Sequence, residues 1–387
     1  MITEKPDTER MTLRMESIWM RAENRIIQDI IRRLKQYGEI TSTADYQINR
    51  LIEMGKSREE VERIIKDALG ATWPEMFELY DKAAEWQYVR NKDVYLAVNG
   101  EFIPPEDNKV LIQISEAIKK QTQDTLQNLS GSYGFMVDMN GKKVFTPFAE
   151  YYQRYIDDVL IDVLDGGIDY QTAMRRAVNQ MTNSGLRFVD YSTGHRDRAH
   201  VAIRRAVMTG LAQITNQINE QNAAKLGTDF FEVDWHANAR PEHASWQGKV
   251  YSKQELVSVC GLGEVTGLLG VNCYHNYYPF VKGVSERQWT DDWLKQKNAE
   301  EAEPREWNGK KFNAYEMTQF QRKMERNMRA QRSKIVGLKT GGEEKEKITD
   351  AQIKYRAQLY EYAAFCDKMG VEQQRERIYI DMLGRVA

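Results

Sequence analysis

Cysteine is nearly absent from this chain: three among 387 residues, at positions 260, 273 and 366. That spacing fits no disulfide framework, so reduced thiols are the expectation. Proline is sparse as well, with eight residues, which leaves long stretches free of helix breakers. No run approaches the roughly 18 apolar residues that span a bilayer, which excludes a membrane-crossing helix. The opening residues, Met1 to Met11, carry charge where a signal peptide would need an apolar core, so the chain is expected to be made and kept in the cytoplasm. An excess of one charge is also lacking, the formal net charge being -2. The chain as a whole therefore does not announce a nucleic-acid binder, although local patches can still serve.

What is present favours helices. The chain is 41% hydrophobic and 29% charged, and long enough for two or three domains with a substantial core. The expected fold is α+β and predominantly α-helical, with long amphipathic helices around one small α+β module with hairpins. Four segments are expected: a helical docking region over 1–72, a helical region over 73–130, an α+β module over 131–283 and a charged helical tail over 284–387.

Apolar residues at spacings of three and four, from Met11 and Met15 to Ile31 and Leu34, predict a helix from Glu9 to Tyr37. Two shorter helices are expected next: Ala44 to Met54, stopped by Gly55, and Ser57 to Leu69, opened by a Ser57-x-x-Glu60 capping box and stopped by Gly70. Pro74 opens another helical stretch to about Val98, and Lys109 to Leu129 resumes the pattern after Pro104-Pro105. Asn140-Gly141, between Phe135–Met139 and Lys142–Phe145, supplies the two positive-φ positions of a hairpin turn. Helices follow over Phe148 to Leu164, Tyr170 to Thr182 and along the stripe Val201, Val207, Leu211, Ile214 and Ile218. In the tail, Tyr315 to Ile335 and Ile348 to Met369 read as helices joined by a linker over Lys339 to Lys347.

The scarce chemistry is concentrated between Thr228 and Gly283, which holds three of the five histidines and two of the three cysteines. Phe231, Val233 and Trp235 alternate with Glu232, Asp234 and His236, the period of a half-buried strand that presents two acids and a histidine. Pro241 ends strand geometry and predicts a polar loop with Arg240, Glu242 and His243. Lys249 to Tyr251 reads as a short strand. Val271, Cys273, His275 and Tyr277, alternating with Asn272, Tyr274, Asn276 and Tyr278, predict another that ends at Pro279.

These residues carry a resemblance. The order Asp234-x-His236, Arg240-Pro241, His243, Trp246-Gln247-Gly248, then Asn272-Cys273-x-His275 and Pro279 resembles the phage minor capsid protein 2 family, itself similar to Mu F-like head morphogenesis proteins. The resemblance is strongest here and softer elsewhere. It implies a structural protein of a tailed-phage head, associated with the portal vertex and acting in head assembly and DNA packaging or delivery. The implied partners are the portal protein and capsid or scaffold proteins, with no membrane in the assembled head. The implied location is the host cytoplasm during assembly and then the virion.

Other readings compete over the same residues. Asp234, His236, His243, Cys273 and His275 are all metal-ligand types, but the spacing is not the paired kind usual for structural zinc. The expectation is therefore no cofactor, with zinc as the alternative and His236, His243, Cys273 and His275 as its candidate ligands. The contrasting arrangement is a polar network in which histidines and Arg240 satisfy carboxylates and carbonyls. An enzyme carried in the head, a metal hydrolase or a nucleotide-using transferase, would use His236, Arg240, His243 and His275, whereas the expectation is a non-enzyme with no catalytic residues. Gly261-Leu262-Gly263-Glu264 lacks the lysine and hydroxyl of a phosphate loop.

Two basic clusters stand apart. His195, Arg196, Arg198, His200, Arg204 and Arg205 are expected at a helix start, either facing an anion or paired with acids. Arg322, Lys323, Arg326, Arg329, Arg332 and Lys334 oppose only Glu316 and Glu325 on one helix, which is either solvated or lies along genomic DNA without sequence preference.

Overall fold

The computed structural model describes residues 4–37, 43–99, 101–139, 141–155, 168–190, 194–271 and 273–387. It is α+β and predominantly helical, as the periodicity predicts. The described chain forms two compact units, each assembled from three stretches rather than from consecutive segments. One comprises Thr12–Trp73, Leu126–Ile203 and Arg322–Ala387, and the other Met1–Met11, Pro74–Thr125 and Arg204–Gln321.

The first of these units holds a four-stranded antiparallel sheet in the order β2-β1-β3-β4, with β1 at Tyr133–Met139, β2 at Lys142–Pro147, β3 at Arg187–Asp190 and β4 at His195–Arg198. Met139 pairs with Lys142, so the β1–β2 loop has two residues, with Gly141 at φ +80°. Asn140 lies outside the described residues. The helix Thr8–Tyr37 buries the expected apolar stripe, with Met15, Ile26, Ile30 and Ile31 all inaccessible. Trp19 meets the edge of Phe188 at 5.2 Å and donates its indole N–H to Thr72 Oγ1 at 3.0 Å. Phe135 packs on Tyr151 at 4.6 Å.

Several expected boundaries differ. Gly55, Gly70 and Pro74 do not divide the chain: a single helix runs Thr43–Val89. A glycine stops a helix by taking positive φ, and neither Gly55 nor Gly70 does so. Pro74 removes one helical donor without ending the helix. Ser57 is not a cap but a buried mid-helix residue whose hydroxyl donates to Asp29 at 3.3 Å, while Glu60 pairs with Arg63. The stretch after Pro74 breaks at Arg90 and Asn91 before a separate helix Lys92–Asn99. The helix expected from Phe148 is a single turn, Phe148–Glu150, followed by a wider π turn, Tyr151–Tyr155; its remainder lies outside the described residues. Half of the basic cluster at 195–205 sits on strand β4 rather than on the helix Ala199–Leu226.

The other unit is centred on a three-stranded antiparallel sheet in the order β6-β5-β7, with β5 at Phe230–Val233, β6 at Val250–Ser252 and β7 at Tyr277–Pro279. Phe231, Val233, Trp246, Leu256, Leu268 and Tyr277 form its core. Helices in this unit are tied to one another by buried polar groups. Tyr80 Oη donates to the Val207 carbonyl at 2.9 Å and meets Thr122 Oγ1 at 3.0 Å, and Tyr95 donates to Asn222 at 2.9 Å. Asn219 accepts from Gln87 and donates to the Tyr277 carbonyl. After the sheet come the helix Asp291–Ala302 and a hairpin, β8 at Arg305–Trp307 and β9 at Lys310–Phe312, turning on Asn308 and Gly309, both at positive φ. That hairpin is absent from the expected helical tail.

Candidate functional site

Strand β5 is paired on both edges, and alternate side chains from Phe231 to Asp234 are all buried, so neither face of the segment is open to solvent. Glu232 and Asp234 are thus not presented to solvent as a half-buried strand would have them. Glu232 accepts the Gln288 backbone N–H at 2.7 Å. Just beyond the strand, Asp234 takes the Asn276 N–H on Oδ1 at 2.7 Å, while Lys5, His236 and Tyr278 Oη each lie 3.3 Å from Oδ2. Burial pushes this carboxyl up, but contact with His236 and Lys5 outweighs it and holds Asp234 below the usual carboxylate range.

The chain then turns. Pro241 occupies the first position of a short helix, Pro241–Ala244, which suits a residue without an N–H, and Arg240 precedes it without a capping side-chain bond. The turn lowers His243 into the interior against Trp246, with ring centroids 4.5 Å apart. Gly248 follows at φ +73°, where an added Cβ would come 2.5 Å from Leu294. That position needs glycine for both conformation and space.

Val271 and Cys273 to Asn276 do not form the expected strand, since ladder pairing begins only at Tyr277. Asn272 lies outside the described residues. Released from a sheet, this segment carries Cys273 and His275 toward His243. His275 Nδ1 is 3.3 Å from His243 Nδ1 and 3.6 Å from Cys273 Sγ. On its other side, His275 Nε2 meets Gln247 Oε1 at 2.8 Å, and the same oxygen accepts the His236 backbone N–H at 2.9 Å. His243 Nε2 lies 2.8 Å from the Thr266 carbonyl and 2.8 Å from Arg240 Nη2, which itself donates to Thr266 at 2.9 Å.

Burial pushes His275 down to about 3 and also lowers His243, so both rings are neutral near pH 7. Burial pushes the Cys273 thiol up, against the backbone amides of His275 and Leu269, which favour its thiolate. The structure thus gathers three of the four expected metal-ligand candidates, His243, Cys273 and His275, and leaves His236 beside Asp234. Arg240, Trp246 and Gln247 contact this cluster, whereas the Gly248 N–H goes to the Val233 carbonyl. Gln247, whose side chain orders two histidines, has no sequence signal of its own beyond its place in the family pattern.

The basic helix, Ala314–Gly341, does not present its six cations on one face. Arg329 and Arg332 are buried, Arg322 and Lys334 are half-buried, and only Lys323 and Arg326 are exposed. Arg332 pairs with Asp381, and Arg329 donates to the Arg377 carbonyl at 2.5 Å. In the other cluster, Arg198 lies 3.7 Å from the buried Glu23 and donates to the Asn183 carbonyl at 3.0 Å, while Arg204 donates to Tyr274 Oη at 2.6 Å.

No helix among the described residues is long and apolar enough to cross a membrane. Comparison with known proteins defines the class. The chain is similar to a "Structural protein" of Lactococcus phage LL-H, 24% identical over 197 residues, which cover 46% of this chain and 53% of that relative. The chain thus spans about half the length of the curated relative it matches. No solved structure matches. The family model for phage minor capsid protein 2 matches residues 5–367, nearly the whole chain. The chain belongs to the phage minor capsid protein 2 family.

Proposed function

We propose that this protein is a low-copy component of a tailed-phage head, sited at the portal vertex and acting in head assembly and in DNA packaging or delivery. The observation that carries the reading is the family match over residues 5–367. The 228–283 segment adds to it as a compact hub, braced by buried polar contacts around Asp234, His243 and Gln247. Portal and capsid or scaffold proteins are the proposed partners. Direct DNA contact is the weaker part of the reading, because burial of Arg329 and Arg332 removes two of the six cations that would serve it.

Deletion of the gene from the phage genome tests this. Heads that assemble abnormally, or form without becoming infectious, are the expected result; normal yield and infectivity would overturn it. The convergence of His243, Cys273 and His275 favours one second reading, an enzyme carried in the head. His243→Ala separates the two. Lost solubility or assembly fits a structural hub, whereas a lost hydrolase or transferase activity with folding intact fits the enzyme.

A further inference from the structure

We propose that the 228–283 segment binds one zinc ion through His243 Nδ1, His275 Nδ1 and Cys273 Sγ. This inference is independent of any role in head assembly. The three donor atoms all lie within 4.8 Å of one another. Around a tetrahedral zinc with bonds of about 2.05 Å to nitrogen and 2.3 Å to sulfur, two nitrogens stand about 3.3 Å apart and nitrogen and sulfur about 3.6 Å apart. His243 Nδ1 and His275 Nδ1 are 3.3 Å apart, and Cys273 Sγ and His275 Nδ1 are 3.6 Å apart. Both separations are tetrahedral edges.

Proton placement points the same way. Gln247 Oε1 accepts the His236 N–H, which identifies it as the oxygen of the amide, so His275 Nε2 must carry the proton that meets it. His275 Nδ1 is left with a bare lone pair aimed at His243 Nδ1. On His243, a proton at Nε2 goes to the Thr266 carbonyl, whose second lone pair takes the Arg240 N–H. Two imidazole lone pairs and a sulfur then lie within 4.8 Å of one another, so metal binding needs His243 and Cys273 to close on a common centre, and each ring is held from behind by an oxygen, the outer-shell arrangement that orients metal-ligating histidines. Two nitrogens and a sulfur select zinc over magnesium or calcium, which take oxygen. Solvent completes the fourth position.

The competing arrangement contains no metal. In it Arg240 Nη2, 2.8 Å from His243 Nε2, donates to that nitrogen, and His243 Nδ1–H points at His275. Its N···N separation of 3.3 Å is long for such a bond. A metal would instead clamp the Pro241–Ala244 turn to Cys273 and His275, which the small sheet does not pair with it.

The test uses the full chain, purified, loaded with equimolar zinc and dialysed extensively, with elemental mass spectrometry and cobalt substitution. About one zinc per chain is expected. Cys273→Ser should release it, Cys366→Ser should not, and Gln247→Leu should weaken zinc affinity about 10-fold to 100-fold. The cobalt form should show the intense visible bands of a tetrahedral site and a thiolate charge-transfer band. Zinc that dialyses away, or a cobalt spectrum without the thiolate band, overturns the proposal. The wild-type cobalt spectrum decides the question even if the cysteine variant folds poorly.

Discussion

Arg332 grips Asp381 with both ends of its guanidinium edge, Nε to Oδ2 at 2.7 Å and Nη2 to Oδ1 at 2.9 Å, and the two side chains are 2% and 0% exposed. The guanidinium also donates to the Gly384 carbonyl at 2.9 Å and to Tyr355 Oη at 3.2 Å, so four of its five N–H donors are spent inside the protein. Removing the carboxylate leaves a buried cation with no counter-charge. Asp381→Ala should therefore cost about 3–5 kcal/mol in urea unfolding, while the paired replacement Arg332→Met with Asp381→Leu should cost much less. Equal losses in the single and paired variants would contradict this.

Glycines in helices normally weaken them, and alanine should restore about 0.5–1 kcal/mol at an open site. Gly55 and Gly70 are open, with nothing near an added Cβ. Gly210 is not: its Cβ would meet Tyr80 Oη at 2.1 Å and Thr122 Oγ1 at 2.6 Å. Gly70→Ala should raise the melting temperature. Gly210→Ala should lower it, by the equivalent of about 1–3 kcal/mol, because the Tyr80 hydroxyl must leave its buried partners.

Glu325 is the clearest pH-sensitive group. Burial pushes its carboxyl up to about 7, while its Oε1 accepts from Tyr362 at 3.1 Å. Its folded value lies above the unfolded one, so its contribution is fully present below about pH 4.5 and is lost as pH rises toward 7, about 3 kcal/mol in all. Glu325→Gln keeps the acceptor without the charge. The variant should melt higher than the parent at pH 8 and match it near pH 4, measured by thermal denaturation across that range.

How much was legible in the sequence depended on what each residue's neighbours did. The stripe from Met11 to Leu34 gave its helix directly, because burial follows spacing there. The Asn140-Gly141 hairpin was equally legible, whereas the same dipeptide at Asn308-Gly309 turns a second hairpin within a segment whose charge masked it. Gly55, Gly70 and Pro74 misled because they weaken a helix without obliging it to stop. In the candidate site, residue types and order marked the segment, but the approach of Cys273 and His275 to His243 depends on a stretch leaving the sheet. Alternation alone pointed to a strand.

The buried state of Arg329 and Arg332 limits any DNA contact by this helix. With four cations at least partly accessible, this helix should contribute no more than about -3.6 to the slope of log affinity against log salt, read as the change in slope when the four are replaced by alanine. Titration of the folded chain on duplex DNA at several salt concentrations measures it. A change near the value for six phosphate contacts would mean that the helix leaves its packing on DNA.

The central claim is that this protein is a minor component of the phage head, and quantitative mass spectrometry of gradient-purified virions tests it most directly. The account predicts the chain in every preparation of intact particles, at a small fraction of the major capsid protein's copy number and confined by immunogold labelling to one vertex. Absence from purified particles, or abundance equal to that of the major capsid protein, would contradict it.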